Sequence, residues 1–291
     1  MQRIAAVGIR LKFNLVMFIV FTIGFVGAGT VSYRLLQENA RDEVIRSAGF
    51  LMDTAIAIRG YTVDQVKPHL VDKLAVKFLP QTVPAYAATE TVNDLRKKYP
   101  QYSYKEATLN PTNLRNQASL WEADLVYQMQ RNPGTEEIIG QRKNLLYIAR
   151  PIEIKKSGCL ACHSDPESAP ASLVDHYGKD NGFGWKMGDI VGAQMVTVPM
   201  DVPIQNANHA FFTFMASLLA VFLLLAVALN VLLSRIIVTP ITRMSSSADQ
   251  ISTGNFDIAE FDESGKDEVA KLSISFNRMR RSIQTAMEMV A

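Results

Sequence analysis

Two long runs without charged residues constrain this chain more than any other feature. One uncharged run covers 13–33 and contains FNLVMFIVFTIGFVGAGTV, and a second, AFFTFMASLLAVFLLLAVALNVLLS, covers 210–234. A helix of about 20 apolar residues spans the hydrocarbon core of a bilayer and satisfies its own backbone hydrogen bonds there. The first run is longer than the apolar part of a signal peptide, and no clear Ala-x-Ala cleavage site follows it. We therefore predict two transmembrane helices, the first an uncleaved anchor.

The charges beside the two runs predict how the chain is oriented. They are Arg3, Arg10 and Lys12 before the first run, and Arg235 and Arg243 after the second. Positively charged flanks stay in the cytoplasm. We therefore expect a cytoplasmic tail over 1–12, cytoplasmic termini, and residues 34–209 in the periplasm of a bacterium, outside its inner (cytoplasmic) membrane. The formal net charge of +2 gives no indication of nucleic-acid binding.

The segment KKSGCLACHSDP, residues 155–166, contains both cysteines of the chain, Cys159 and Cys162, with His163 directly after them. A structural zinc site needs four ligands, and only three candidates cluster here. A redox disulfide is the stronger alternative, although a thioredoxin-type Cys-x-x-Cys opens a helix after a strand. Cys-x-x-Cys-His is the attachment signature of c-type haem. We predict one covalent haem c, attached through Cys159 and Cys162, with His163 as the proximal ligand of the iron.

The second axial position of the iron stays open at this point. His69, which follows Pro68 after a predicted long helix, is the candidate distal ligand that we name first. The alternatives are Met52, Met195, His176 or an open position. Two aromatic residues of KDNGFGWKMGD, Phe183 and Trp185, are candidate haem contacts. An aromatic hairpin that packs on its own sheet explains the same two residues equally well.

Secondary-structure signals predict an α+β domain between the two spans. NLLYIARPIEI (144–154) and DIVGAQMVTVPM (189–200) read as strands, and an Asn-Gly turn signal lies between them. Ser119 reads as the start of a short helix. The first span continues as a helix with an apolar stripe, which suits either a dimer seam or packing on its own domain. The stripe consists of Val44, Ala48, Leu51, Ala55 and Ile58.

The segment after the second span has the heptad spacing of two short helices joined by a connector. The first apolar stripe is Ile237, Ile241, Met244, Ala248 and Ile251, and the second is Val269, Leu272, Phe276, Met279, Ile283, Ala286 and Val290. Two such helices cannot bury their stripes alone, so we expect a parallel four-helix bundle in a homodimer.

This segment, 235–288, resembles the HAMP linker of membrane receptors and sensor kinases. The matching residues are Pro240, Gly254 with Phe256 in the connector, and Asp267-Glu268 at the start of the second helix. The resemblance implies a coiled coil that converts motion of a transmembrane helix into a change of packing, as a two-state switch requires. A dimerisation collar without a signalling role is the alternative.

The outer segment also resembles a known group. ARPIEIKKSGCLACHSDP, followed by YGKDNGFGWKMGDIVGAQMVTVPM, is similar to the bacterial PAS-like sensor domains that bind c-type haem and are joined to HAMP linkers. The resemblance covers roughly 40–205 and implies a PAS-like fold for the periplasmic domain.

Three functions follow as hypotheses. The first is a redox or gas sensor that transmits the state of its haem through HAMP to a separate cytoplasmic partner or a larger membrane complex. The second is a membrane-anchored monohaem cytochrome for electron transfer, with HAMP serving only dimerisation. The third is a receptor for an organic ligand in a PAS-like cavity. We expect no enzymatic activity, because no kinase, cyclase or methyl-accepting segment precedes Ala291.

Overall fold

The computed structural model describes residues 8–290, and these form two compact units. One unit comprises Arg34–His209, and the other combines the chain up to Tyr33 with the chain from Ala210. Residues 1–7 of the predicted cytoplasmic tail, with Arg3 among them, lie outside the described residues.

The helices and strands occur in the following order. The α-helices are α1 (Ile9–Tyr61), α2 (Pro84–Leu95), α3 (Leu120–Arg131), α4 (Ser157–His163), α5 (Ala171–Tyr177), α6 (Asp201–Leu232), α7 (Thr239–Ser252) and α8 (Glu268–Val290). The strands are β1 (Ser103–Thr108), β2 (Ile138–Arg142), β3 (Leu145–Glu153) and β4 (Ile190–Pro199). A π-helical turn, Thr62–Val66, follows α1 directly, and a second one, Leu233–Val238, follows α6.

Helices α1 and α6 carry the two uncharged runs, and both are long and apolar enough to cross a membrane. The rings of Phe21 and Phe222 stack with their centroids 4.7 Å apart, so the two runs pack against each other. Gly29 lets them approach closely, because a Cβ atom there would lie 3.1 Å from Cε of Met215. The predicted continuation of the first span as a helix is confirmed, since α1 is unbroken as far as Tyr61.

The sheet of the unit Arg34–His209 is fully antiparallel, in the order β1-β4-β3-β2. The two predicted strands are β3 and β4, which pair from Leu145↔Pro199 onwards. Strands β1 and β2 were not predicted from the sequence. The mixture of helices with a small antiparallel sheet is confirmed, and the PAS-like topology stays a prediction.

Helices cover both faces of this sheet because successive side chains of a strand point to opposite faces. On one face, α1 and α2 pack on Leu146, Ile148, Val196 and Val198. The predicted α1 stripe lies there, with Val44, Ala48, Leu51 and Ala55 all buried, so the stripe packs on its own domain. On the other face, α3 packs on Ala107, Ala149, Ala193 and Met195.

Helix α3 begins with a capping box, which confirms the predicted helix start at Ser119. The Glu122 carboxylate accepts hydrogen bonds from the Ser119 backbone N–H and from Lys105 Nζ, both at 2.7 Å. Burial alone would raise the pKa of Glu122, but these hydrogen bonds outweigh it and hold the pKa below its ordinary value.

In the other unit, the connector between α7 and α8 is held by one buried side chain. Asn277, 1% exposed, donates to the carbonyl oxygen of Phe261 at 2.9 Å and accepts from the Phe261 N–H at 3.1 Å. Met244 is buried, whereas Leu272 and Met279 are about half exposed in the single chain. Burial of these last two residues between two copies of the chain stays a prediction.

Candidate functional site

A cavity of about 310 Å³ lies inside the unit Arg34–His209. Its wall comes from the end of α1 and the turns after it, the start of α2, β1, the end of β3, and α4. Cys159, Cys162, His163 and Trp185 all line this cavity. Four of the residues selected from the sequence are therefore brought together.

Helix α4 places the three residues of the motif. It begins at Ser157, four residues after the end of β3, and ends at His163. The motif therefore does open a helix after a strand, which removes that ground for disfavouring a redox disulfide. Residues three and four apart lie on the same side of a helix, so Cys159 shares a side with Cys162 and with His163. Both cysteines are free thiols. Burial raises the pKa of the Cys162 thiol, which favours its protonated form.

The imidazole of His163 is oriented by a backbone carbonyl. Its Nδ1 lies 2.7 Å from the carbonyl oxygen of Gly182. A carbonyl oxygen only accepts, so Nδ1 carries the proton and the lone pair of the neutral ring is on Nε2. Burial lowers the pKa of His163, which favours this neutral form even though the bond to Gly182 opposes the shift. A neutral imidazole with its Nδ1–H bonded in this way is a typical metal ligand.

The Gly182 carbonyl is fixed by close packing on Thr112. Gly182 has a φ of +84°, and a Cβ atom there would lie 2.7 Å from the backbone nitrogen of Thr112. The Gly182 N–H donates to Asn110 Oδ1 at 3.0 Å. Only glycine adopts this positive φ and also leaves room for the backbone of Thr112 without strain. The Asn-Gly signal in the sequence therefore marks the residue that positions His163, a role that the sequence analysis missed.

The two predicted aromatic contacts differ in position. Trp185 lines the cavity and stacks on the imidazole of His163, with ring centroids 4.0 Å apart. Its backbone N–H also donates to the His163 carbonyl oxygen at 3.1 Å. Phe183 is half-buried and does not line the cavity. The aromatic segment does not form a hairpin, because 36 residues, 154–189, separate β3 from β4.

None of the candidate distal ligands lines the cavity. His69 is exposed on the turn Lys67–His69. Met52 and Met195 are buried in the two apolar cores, one on each face of the sheet. His176 is exposed and stacks on Phe78, with ring centroids 5.4 Å apart. Direct ligation by any of these residues stays a prediction.

Charged residues of the cavity wall are functional candidates that the sequence analysis missed. They are Arg59, Lys67, Arg115, Lys156, Glu106 and Glu153. They come from segments far apart in the chain, so no local sequence pattern shows them together. Arg59 forms a buried ion pair with Glu106, and the Tyr104 hydroxyl donates to the same carboxylate oxygen at 2.8 Å. Burial, more than the nearby Glu106 carboxylate, raises the pKa of Tyr104.

Residues 8–290 contain no group of three or more His, Cys, Asp and Glu side chains arranged to hold a metal ion.

The fold and the site define a cavity-bearing α+β domain with a Cys-x-x-Cys-His helix in its wall. The model of the Tll0287-like family matches residues 37–199, more than half of the chain, and a HAMP domain matches residues 232–285. The chain therefore belongs to the Tll0287-like family, and it contains a HAMP domain. The resemblance of the inner segment to HAMP is confirmed.

Two known proteins are similar to parts of this chain. The sensor histidine kinase WalK of Bacillus subtilis is 27% identical over 157 residues, which are 54% of this chain and 24% of that protein. This chain thus spans about a quarter of the length of that relative. The crystal structure of the cyanobacterial heme-protein Tll0287 is 20% identical, with a TM-score of 0.39, and the match covers 50% of this chain and 92% of that one. The expectation that the chain is not an enzyme stays a prediction.

Proposed function

We propose that this protein is a membrane-bound sensor with one covalently attached haem c, and that it passes the redox or ligand state of this haem through its HAMP domain to a separate cytoplasmic partner. One observation carries the proposal: both thiols and an imidazole with its lone pair on Nε2 line a single cavity. The set of donors fits the group, since c-type haem needs two thiols three residues apart and an adjacent histidine.

Each residue of the motif has its own role. Cys159 and Cys162 would hold the porphyrin by thioether bonds, and His163 would bind the iron through Nε2. The Gly182 carbonyl keeps the proton on Nδ1 and so keeps Nε2 available. Haem, when bound, supplies an iron atom that accepts one electron or a diatomic gas. Among residues 8–290, neither a methionine nor a second histidine lines the cavity, which supports an open position for such a gas.

The location follows from the same proposal. We place the unit Arg34–His209 in the periplasm and both termini in the cytoplasm. The reason is that basic residues lie before the first uncharged run and after the second, and positively charged flanks stay in the cytoplasm. The described ones are Arg10, Lys12, Arg235 and Arg243. Covalent haem attachment outside the cytoplasm agrees with this orientation. Two copies pair through their HAMP helices, where the exposed stripe of α8 finds a partner.

The test is haem analysis of the full chain, produced in a host with c-type haem maturation. We expect haem staining that survives denaturing electrophoresis, and its loss in the variant Cys159→Ala/Cys162→Ala. His163→Ala should keep some covalent haem but lose the absorption spectrum of the wild-type protein. Carbon monoxide should change the spectrum of the reduced protein. A purified wild-type chain that carries a disulfide or zinc and no haem would contradict the proposal.

A deletion separates the sensor from an electron carrier. Removing the chain after Arg235 should leave the spectrum unchanged and abolish the cellular response. If the cellular response survives the deletion, the HAMP domain is not needed for it, and the protein functions instead as a membrane-anchored cytochrome.

A further inference from the structure

Two lysines line the cavity without a carboxylate partner. Lys67 belongs to the turn Lys67–His69, and Lys156 directly precedes α4. Neither forms an ion pair with a carboxylate of residues 8–290. Both therefore present an uncompensated positive charge to the cavity.

The remaining charges of the cavity wall are compensated. Arg59 pairs with Glu106, and Arg115 pairs with Glu90. The carboxylate of Glu153 is bound by Lys155 Nζ at 3.1 Å. With four cations and two carboxylates in its lining, the wall carries an excess of two positive charges. The rest of the lining is largely apolar. Lys67 is half-buried and Lys156 is exposed to solvent.

Both lysines also lie close to the Cys-x-x-Cys-His helix. Lys156 is three residues before Cys159 in the chain. Lys67 is near enough to Cys162 for its positive charge to oppose the rise in pKa that burial causes there. Both lysines therefore line the same cavity as the three residues of the motif.

We propose that Lys67 and Lys156 form a carboxylate-binding subsite that takes the two propionate groups of the haem. The excess of two positive charges in the wall matches the two negative charges of these groups. Ammonium–carboxylate hydrogen bonds are stronger than neutral ones, so this subsite orients the porphyrin plane as well as compensating charge. The inference rests on the proposed haem function and adds the residues that recognise the carboxylates.

The first experiment compares haem with haem dimethyl ester, which lacks both negative charges. The protein used is the full chain with Cys159→Ala/Cys162→Ala, purified in detergent, which should bind porphyrin without covalent attachment. We expect it to bind haem at least tenfold more tightly than the ester. Adding Lys67→Gln/Lys156→Gln should remove this preference. Adding Lys179→Gln should retain it, because Lys179 is exposed, lies outside the cavity wall and is paired with neither Glu106 nor Glu153.

The second experiment uses the covalently loaded chain, so it does not depend on the cysteine variants. Positive charge near the iron favours the reduced state, so Lys67→Gln and Lys156→Gln should each lower the midpoint potential, while Lys179→Gln leaves it unchanged. At a fixed solution potential, a decrease of about 59 mV in the midpoint potential lowers the ratio of reduced to oxidised protein tenfold, because one electron is transferred.

The outcomes separate the subsite from the proposed function. Equal affinity for haem and its ester with the lysines in place would overturn the subsite and leave the haem function standing. If the cysteine variant binds neither porphyrin, the midpoint potentials of the covalently loaded chain test the subsite instead. Potentials that are unchanged in both Lys67→Gln and Lys156→Gln would overturn the subsite. Absence of haem from the wild-type chain refutes the haem function itself.

Discussion

The buried ion pair between Arg59 and Glu106 allows a quantitative test of how the cavity wall is held together. The Glu106 side chain is 4% exposed and that of Arg59 is 24% exposed. Glu106 also accepts the hydroxyl hydrogen bond of Tyr104. Glu106→Leu would remove the acceptor of both groups and leave a guanidinium without a partner in the wall. Removing one member of a buried pair costs about 3–5 kcal/mol, and the partial exposure of Arg59 places this change near about 3 kcal/mol.

Two further variants test the cause of this loss. Arg59→Met/Glu106→Leu removes both charges and should recover much of the stability, because an apolar pair avoids the cost of desolvating an ion pair. Glu90→Leu is the matched control, since it removes the carboxylate partner of Arg115, a carboxylate that is 43% exposed. An exposed pair contributes at most about 1 kcal/mol.

Thermal unfolding of the full chain in detergent measures these differences. Both tryptophans, Trp121 and Trp185, belong to the unit Arg34–His209, so their fluorescence reports the unfolding of this unit. Protein from a host without c-type haem maturation avoids quenching by haem. A loss of about 3 kcal/mol corresponds to a decrease in Tm of about 6–12 °C for a domain of this size. A Glu106→Leu variant no less stable than Glu90→Leu, or a double variant no more stable than Glu106→Leu, would refute the reasoning.

Three other variants test separate parts of the structure. Gly182→Ala should lower the Tm more than Gly184→Ala does and should also alter the haem spectrum, because both glycines have positive φ but only at Gly182 would a Cβ meet Thr112. The pKa of Glu122 is lowered, so its carboxylate stabilises the fold fully above its ordinary pKa of 4.5, and this contribution is lost as the pH falls below that value. The Glu122→Gln variant should therefore be less stable than the wild-type protein at neutral pH. Its stability should also decrease less when the pH is lowered, as unfolding measured across an acid titration would show. Asn277→Ala should increase amide hydrogen exchange at Phe261, because it removes the two hydrogen bonds that hold the connector, whereas Asn255→Ala should not. Equal exchange at Phe261 in the two variants would contradict the role of Asn277 in holding the connector.

The parts of the fold that could be predicted have a strong local signal. The uncharged runs, the α1 stripe and strands β3 and β4 each show their character within about ten to twenty neighbouring residues. Strand β1 does not, because its sequence SYKEAT places the charged Glu106 on a buried position. The partner that makes this burial tolerable, Arg59, is 47 residues away in the chain. Sequence periodicity has no means of showing a pairing of that kind.

The same limit applies to the site. Cys159, Cys162 and His163 form one contiguous motif, and spacing alone predicted that they act together. Trp185 was selected for its residue type and lines the cavity, whereas the otherwise similar Phe183 does not. His69 was selected for its place after a predicted helix. That helix ends in a π-helical turn at Thr62–Val66, which the sequence does not indicate, and His69 lies exposed beyond it.

The π-helical turn also continues a row of cavity-lining residues that begins at the end of α1. Arg59, Val63 and Lys67 follow each other at intervals of four residues, and all three line the cavity. Arg59 belongs to α1, the helix that carries the first uncharged run, and Lys67 directly follows the turn. A unit change of charge about 10 Å from a guanidinium changes its energy by about 1.7 kcal/mol at an effective dielectric constant of about 20. Coupling free energies between sites are typically about 1–3 kcal/mol. In the proposed sensor, an electron taken up at that distance would stabilise Arg59 and destabilise its partner Glu106, so the net bias on the end of α1 would be smaller than about 1.7 kcal/mol.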